Sequence, residues 1–273
     1  MRVDLHLHTY YSDGVYSPAQ VVMKAKENGL SIISIVDHDT TDGLEEAIEV
    51  GKELGIEVIP GIELSSSING TDIHILGYFI NWKDENFQVH LRVFRELRIQ
   101  RAKRIVEKLN ALDIPLEFES IVEMSKSSAI SRVHIANALV KYGFVNDFYE
   151  AFNKYLSPGC PAYEKNIDLS PRKAIKLISD VGGLSFIAHP GRLISENDLA
   201  SLIELGIDGI EVIHPSHNDE LVKYYRAIAS EYFLLESGGS DFHGGLRHDE
   251  HCIGAYTVPY KLVEMMKQRL NLK

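Results

Sequence analysis

Short apolar runs rich in β-branched residues alternate with amphipathic helical stretches along much of this chain, and no other feature limits its fold as tightly. Val3 to Leu7 reads as a first strand. Ser17-Pro18 then opens a helix, with Ser as N-cap and Pro at the first helical position, where its missing N–H is no loss. Val21, Val22, Ala25 and Leu30 form the apolar side of that helix, and Asn28-Gly29 closes it. Ser31 to Val36 is a β-branched run, as expected of a strand covered on both faces. A helix from Thr41 to Gly55 leads to a third strand, Ile56 to Ile59, and Asp72 to Ile80 reads as a fourth. The pattern resumes at Ser170-Pro171, another helix start. Strands follow at Gly183 to Ala188, Gly209 to Ile213 and Tyr232 to Ser237, with a last short one at Ala255 to Val258 before a C-terminal helix. Helices at Glu196 to Leu205 and Asn218 to Ser230 separate them. Strands spaced by helices of roughly ten to fifteen residues predict βαβ units, a parallel sheet and, at about seven units, a closed α/β barrel.

Residues 83 to about 156 carry helical periodicity and few strand signals. The expected organisation is a barrel domain made of residues 1–80 and 170–273, with a helical insertion, or cap domain, at 81–169. The first insertion helix carries Arg92, Arg95, Arg98, Arg101, Lys103, Arg104 and Lys108 beside Leu91, Phe94, Leu97, Ile105, Val106 and Leu109; this spacing predicts a long amphipathic helix with a solvated basic face. Further helices are expected near 118–125, 131–142 and 147–155.

Lys and Arg number 28 against 39 Asp and Glu, a net charge of −11 over 273 residues. Such a chain has no broad electrostatic footprint for duplex nucleic acid or anionic membrane. A short single-stranded oligonucleotide or a single nucleotide in a locally positive pocket remains compatible, above all if metal cations supply the charge. Two distant cysteines, Cys160 and Cys252, rule out a disulfide framework and a zinc ribbon. With no apolar run near the ~18 residues of a membrane span and no leader-like segment, a cytoplasmic location is the expectation. The sequence does not specify an oligomeric state.

Twelve histidines are present, and their placement carries the chemistry. His6 and His8 end the first strand, His38 lies just past the second in Asp37-His38-Asp39, Glu63 follows the third, and His74 is in the fourth. His189 ends the fifth, His214 the sixth, and Asp241 and His243 follow the seventh. In an α/β barrel these strand ends share one mouth, where active sites sit. His6-Leu7-His8 on a strand of period two puts both rings on one face. Asp241-Phe242-His243 repeats that spacing. Imidazole and carboxylate without thiolate suit Mn, Fe or Zn. A single such histidine is more often a satisfied core residue; a full set at successive strand ends, buried without cations, would be costly. His90, His248 and His251 lack this placement and are expected to be solvated, and His217 is undecided. Gly238-Gly239 is expected to let the chain bend sharply before Asp241. There is no P-loop, no GxSxG elbow and no HExxH helix.

The motifs DLHLH (4–8), YSDG (11–14), VDHD (36–39), PGIE (60–63), HILGY (74–78), AHPGR (188–192) and SDFHG (240–244) resemble the PHP family, named for polymerase and histidinol phosphatase. The resemblance covers about 1–80 and 170–258. It implies a distorted (β/α)₇ barrel with two to three divalent ions, Mn²⁺ first and Fe or Zn as alternatives. By motif matching it assigns His6, His8, Glu63 and Asp241 to one ion, Glu63, His74 and His189 to a second, and Asp13, His38 and His243 to a third. Arg132-Val133-His134-Ile135-Ala136 in the insertion is similar to a subgroup of nucleoside 3′,5′-bisphosphate phosphatases and short-RNA 5′-to-3′ exonucleases. The implied reaction is hydrolysis of a nucleotide phosphate ester by cation-activated water. Arg132 and His134 would both reach the phosphate from the insertion. Asp13, His134 and His214 are the catalytic candidates, and Arg132, His134 and His214 the substrate-binding ones. The general acid stays open among His134, His214 and His217. A histidinol-phosphate-type phosphatase is the alternative, which Arg132 to Ala136 and Asp13 disfavour. A non-catalytic metal-binding module is a further one, and it predicts missing ligands.

Overall fold

The structure, a computed structural model, describes residues 1–125, 129–165, 169–192, 194–245 and 249–272. His248 lies outside them. Eight strands form one sheet: β1 (Arg2–Leu7), β2 (Ile32–Ile35), β3 (Glu57–Ile68), β4 (Thr71–Tyr78), β5 (Leu184–Ile187), β6 (Gly209–Ile213), β7 (Leu235–Gly238) and β8 (Val258–Pro259). Their order is β7-β6-β5-β4-β3-β2-β1-β8. Just beyond β1, the His8 N–H donates to the Phe242 carbonyl at 3.0 Å, so the chain after β7 returns to β1 and the barrel is nearly closed.

The strands are buried on both faces because helices cover the outside. Ile59, Leu76, Tyr78, Leu184, Phe186 and Leu235 belong to one cluster. Ile62, Ile75, Ile187 and Ile210, out of phase with them on the same strands, belong to another with α7 (Pro171–Asp180), α8 (Glu196–Glu204) and α9 (Asp219–Glu231). Ile33 and Ile35 of β2 pack against α1 (Pro18–Glu27) and α2 (Leu44–Leu54). Helix α1 starts as its sequence dictates: Ser17 and Gln20 form a reciprocal capping box ahead of Pro18. Gly55 ends α2 at φ +71, but α2 begins at Leu44 rather than Thr41. Helix α10 (Tyr260–Arg269) ends the fold.

The sheet is not wholly parallel, which corrects the expectation. β1, β2 and β3 are mutually parallel, as are β5, β6 and β7, while β4 runs antiparallel to both β3 and β5. The cause is local. Asn69 and Gly70 both adopt positive φ, +49 and +85, and close a two-residue hairpin. β3 therefore extends to Ile68, and Glu63 lies inside it opposite Leu76 rather than past its end. His74 is brought to the mouth because its strand runs the other way, opposite Ser65.

In the insertion, α3 (Glu85–Asn110) is a single long helix. Phe87, Leu91 and Phe94 pack on the barrel's outer layer. Ala102, Ile105 and Leu109 instead join α4 (Phe118–Ser125), α5 (Arg132–Lys141), α6 (Phe148–Ala151) and a π-helical turn at Phe152–Leu156 around a separate cluster. The expected solvated basic face is corrected at two positions, since Arg98 and Arg101 are 4% and 6% exposed. They repeat with Leu91, Phe94 and Ile105 at helical spacing and so fall on the packed side. Among the described residues no helix is long and apolar enough to cross a membrane.

Candidate metal centre

Nine predicted side chains converge at the mouth. Glu63 is fully buried at its centre. Its Oε2 lies 3.4 Å from His6 Nε2, 3.3 Å from His8 Nε2 and 3.2 Å from His38 Nδ1. Its Oε1 lies 2.9 Å from His74 Nδ1 and 2.8 Å from His189 Nε2. Asp241 Oδ1 is 3.2 Å from both His6 Nε2 and His8 Nε2. Asp13 Oδ1 is 3.2 Å from His243 Nε2 and 3.8 Å from His38 Nε2. Three groups have ligand atoms all within 4.8 Å of one another: His6, His8, Glu63 and Asp241; His8, Asp13, His38 and His243; and His38, Glu63 and His74. The first matches the expected set, and the second adds His8. In the third, His38 stands where His189 was expected, although His189 Nε2 is 3.4 Å from His74 Nδ1.

These residues fit cations better than they fit each other. His38 Nδ1 is buried without a satisfactory hydrogen bond even though Glu63 Oε2 is 3.2 Å away. His214 Nε2, 3.4 Å from Asp241 Oδ2, is in the same condition. An orphaned imidazole nitrogen among carboxylates, as at His38, is the donor an ion would use. The charge balance agrees. Burial opposes the charged form of His6, but Glu211, Asp241 and Glu63 outweigh it and hold His6 well above the usual histidine range. Burial likewise opposes a charged His8, yet hydrogen bonds that its ring donates to Asp241 and Glu63 push it up to about 9. Burial, helped by the neighbouring His8 and His74, outweighs Glu63 and Asp13 at His38, which is driven well below its usual range. Glu63 and Asp241 resist burial through neighbouring imidazoles, chiefly His38 and His243 respectively, and stay far below the usual carboxylate range.

Carboxylates behind the centre hold it in place, and the sequence reading did not single them out. Glu211 on β6 is fully buried; its Oε1 meets His6 Nδ1 at 2.8 Å and its Oε2 accepts the His189 N–H at 2.7 Å. Asp37 accepts from Thr9 N–H, Thr9 Oγ1 and Ser12 Oγ, fixing the loop that carries Asp13. Asp4 accepts from the N–H groups of His6 and Ser240. The available signal was a lone acid inside an apolar strand: Asp4 in VDLHL and Glu211 in GIEVI. Asp39, His189 and Asp241 sit at φ +52, +25 and +49, strained values for non-glycine residues that the surrounding bonds must maintain. Gly239 is needed for close approach rather than for a bend, because a Cβ there would lie 2.4 Å from His6 N.

Three cavities adjoin the cluster. One of 590 Å³ includes His38, His74, His189, His214 and Asp241. A second, of 300 Å³, is lined by Asp13, His38, His74, Arg98, Arg101 and Arg132. The third, of 380 Å³, contains Asp13, His134 and Asn137. Arg132 and His134 thus line different cavities, both of which include Asp13. They are two positions apart on α5, and such pairs point to different sides of a helix. His134 instead completes the α5 capping box, its Nδ1 accepting the Ser131 N–H at 3.1 Å, and burial lowers its pKa. Arg132 bonds the Leu156 carbonyl at 3.2 Å and Asp72 at 3.4 Å. His217 has both ring nitrogens engaged by backbone, Nδ1 with Val212 O at 3.0 Å and Nε2 with the Gly191 N–H at 3.1 Å, which removes it from the general-acid candidates. His90 is exposed and bonded to its own helix, and His251 is exposed.

The PHP domain model matches residues 4–236. A 3′,5′-nucleoside bisphosphate phosphatase from Chromobacterium violaceum is 34% identical over 248 residues, 89% of this chain and 87% of that protein. A 5′-3′ exoribonuclease from Haemophilus influenzae is 34% identical over 89% of this chain and 90% of its own length. A phosphoribosyl 1,2-cyclic phosphate 1,2-diphosphodiesterase from Eggerthella lenta is 31% identical over 95% of this chain and all of its own. The crystal structure of a proposed metal-dependent phosphoesterase from Bifidobacterium adolescentis superposes with a TM-score of 0.91 at 31% identity, covering 98% of this chain and 96% of that one.

Proposed function

The chain belongs to the PHP domain family and is a metal-dependent hydrolase of phosphoric esters; on that premise we propose that its substrate is a nucleoside 3′,5′-bisphosphate, with short single-stranded oligonucleotides as a second substrate form. One observation carries this reading. The 300 Å³ cavity is lined by Asp13, His38 and His74 of the metal centre and also by Arg132. A simple monoester needs only the metal centre; a substrate with a second phosphate uses Arg132 as well. Phe148, Tyr149 and Phe152 line the same cavity and offer rings for a base to stack on.

In this reading two to three divalent ions, Mn²⁺ first with Fe or Zn as alternatives, are held by His6, His8, Glu63 and Asp241, by Glu63, His74 and His189, and by Asp13, His38 and His243. When bound, such ions supply Lewis acidity and lower the pKa of water. The protein's own groups do the rest. Arg132 presents a planar fork to the second phosphate, and charge-assisted N–H bonds orient it. Glu211 fixes the ring orientation of His6 and holds the backbone N–H of His189. His214 accepts the Ser216 N–H on Nδ1 at 3.0 Å, so its neutral ring carries its proton on Nε2, which faces Asp241 at the mouth. That geometry supports His214 as a general-acid candidate alongside His134. The deciding assay is phosphate release with Mn²⁺ from nucleoside 3′,5′-bisphosphates, histidinol phosphate and short RNA. The bisphosphate should have the highest kcat/KM; a preference for histidinol phosphate sinks the proposal.

A further inference from the structure

One buried side chain of the insertion reaches the metal centre without entering the chemistry above. Arg98 lies midway along α3, where that helix leaves the barrel layer and enters the cap cluster. Its Nε and Nη2 donate to Asp39 Oδ2 at 2.7 and 2.6 Å, Nη2 also donates to Ser65 Oγ at 2.7 Å, and Nη1 reaches the Ile130 carbonyl at 3.4 Å. The pair is nearly sealed from water, at 4% and 1% side-chain exposure.

Each partner sits beside a site residue. Asp39 directly follows His38, and its φ of +52 is a conformation that must be held from outside. Its Oδ1 accepts the Ser65 N–H at 2.8 Å, and its own N–H donates to the Glu63 carbonyl at 3.0 Å. Ser65 is the register partner of His74 and shares a strand face with Glu63. Ile130 precedes Ser131, the N-cap of the helix that begins with Arg132. One guanidinium therefore links the segments carrying His38, Glu63 and His74 to the start of α5. Those three residues form one of the convergent ligand groups. A buried ion pair is weak evidence for stability, because apolar packing often serves as well. A bidentate fork does fix direction, which apolar packing does not.

We propose that Arg98 is a positioning residue: it locks the His38–Asp39 turn against β3 so that His38, Glu63 and His74 keep their convergent placement, coupling that ligand group to the seating of the insertion. The proposal rests on the metal reading above. It concerns this group and not His6, His8 and Asp241, to which Arg98 makes no contact among the described bonds.

Arg98→Met alone would strand a buried carboxylate and confuse the result with misfolding. The test therefore uses Arg98→Lys, which keeps the charge without the fork, and the double variant Arg98→Met with Asp39→Asn, which removes both charges. Stripped protein is titrated with Mn²⁺ by calorimetry, bound metal is counted after gel filtration, and circular dichroism checks the fold. Both variants should keep wild-type affinity at one class of site and lose at least tenfold at another. Unchanged affinity at every site would make Arg98 a packing residue and overturn the proposal. Equal weakening at every site, with or without a disturbed spectrum, would overturn it too. A wild-type protein that binds no Mn²⁺ would instead show that the metal reading itself has failed.

Discussion

Glu211→Gln probes how far the centre depends on a carboxylate placed behind it. Both oxygens of Glu211 are in use, Oε1 on His6 Nδ1 at 2.8 Å and Oε2 on the His189 N–H at 2.7 Å. Glutamine has the same shape but one acceptor. If its carbonyl faces His6, its NH₂ opposes the His189 N–H; if it is flipped, NH₂ opposes the His6 Nδ1–H. In either pose one buried donor loses its partner, at about 1–3 kcal/mol. At ~2–4 °C per kcal/mol for a chain of roughly this size, the metal-free Tm should drop by ~2–12 °C. The charge matters separately. An anionic partner on Nδ1 makes the His6 ring a better ligand, and removing such partners costs about 10–100-fold in metal affinity, or ~1.4–2.8 kcal/mol. Calorimetric titration of stripped protein with Mn²⁺ at pH 7.5, paired with scanning calorimetry of the metal-free form, separates the two effects. Lower Tm with Mn²⁺ affinity within twofold of wild type would refute the argument, because Glu211 would then be a core acid with no hold on the ligands.

Arg132→Ala should lower kcat/KM about ten- to more than hundredfold on a nucleoside 3′,5′-bisphosphate, from the roughly 1.5–3 kcal/mol of lost charge-assisted bonds, and little on p-nitrophenyl phosphate. Equal losses on both would move Arg132 to the reacting phosphate. Elemental analysis of reconstituted protein should give two to three ions per chain, and one or fewer would contradict the ligand assignment. His8, held up to about 9 in the metal-free fold, contributes stability that is complete below the unfolded value of ~6.5 and is lost as pH rises toward 9. Metal needs the deprotonated ring, so the gain in Tm on adding Mn²⁺ should grow across the same window; a gain that stays flat with pH would count against a histidine-built centre.

Much of this arrangement is legible in the sequence, and the exceptions have physical causes. The βα alternation is plain because both strand faces are covered by helices, which leaves apolar runs such as Ile32–Ile35. The reversal of β4 is encoded in two residues, Asn69-Gly70, a signal easily outweighed by the βα rhythm around it. Arg98 and Arg101 share the period of Phe94 and Ile105; their charge argued for solvent, and partners such as Asp39 for Arg98 and the Glu164 carbonyl, 2.9 Å from Arg101 Nη2, make burial tolerable. The candidate metal ligands stand out because His-x-His and Asp-x-His at strand ends have few other uses. Glu211 does not, since one acid in a strand has no distinctive spacing and its role depends on β6 lying close to β1 across the barrel. The separation of Arg132 from His134 needed only the helical period, once α5 was placed.

A chain of net charge −11 that acts on an anion must reverse its own field locally. Asp13, Glu63, Asp241 and Glu211 place four negative charges in one cluster. In the metal-free protein, His6, His8 and His189 are all held above their usual range, against burial, by carboxylates of this cluster. A protonated imidazole cannot ligate a metal, so the same rings cannot serve both states. Ion binding must expel protons, and two divalent ions then restore neutrality at +4 while three give +6. That positive charge is exchangeable, and it belongs to the barrel. The charge on the insertion is fixed. Burial pushes Arg101 only to about 9, and Arg132, although lowered by burial, pairs with a single carboxylate, Asp72. A substrate with two phosphates would meet one source of each kind. The barrel ligands alone could not provide this, because every acid that holds an ion cancels part of its charge, whereas a guanidinium brought in on α5 adds charge without competing for the metal.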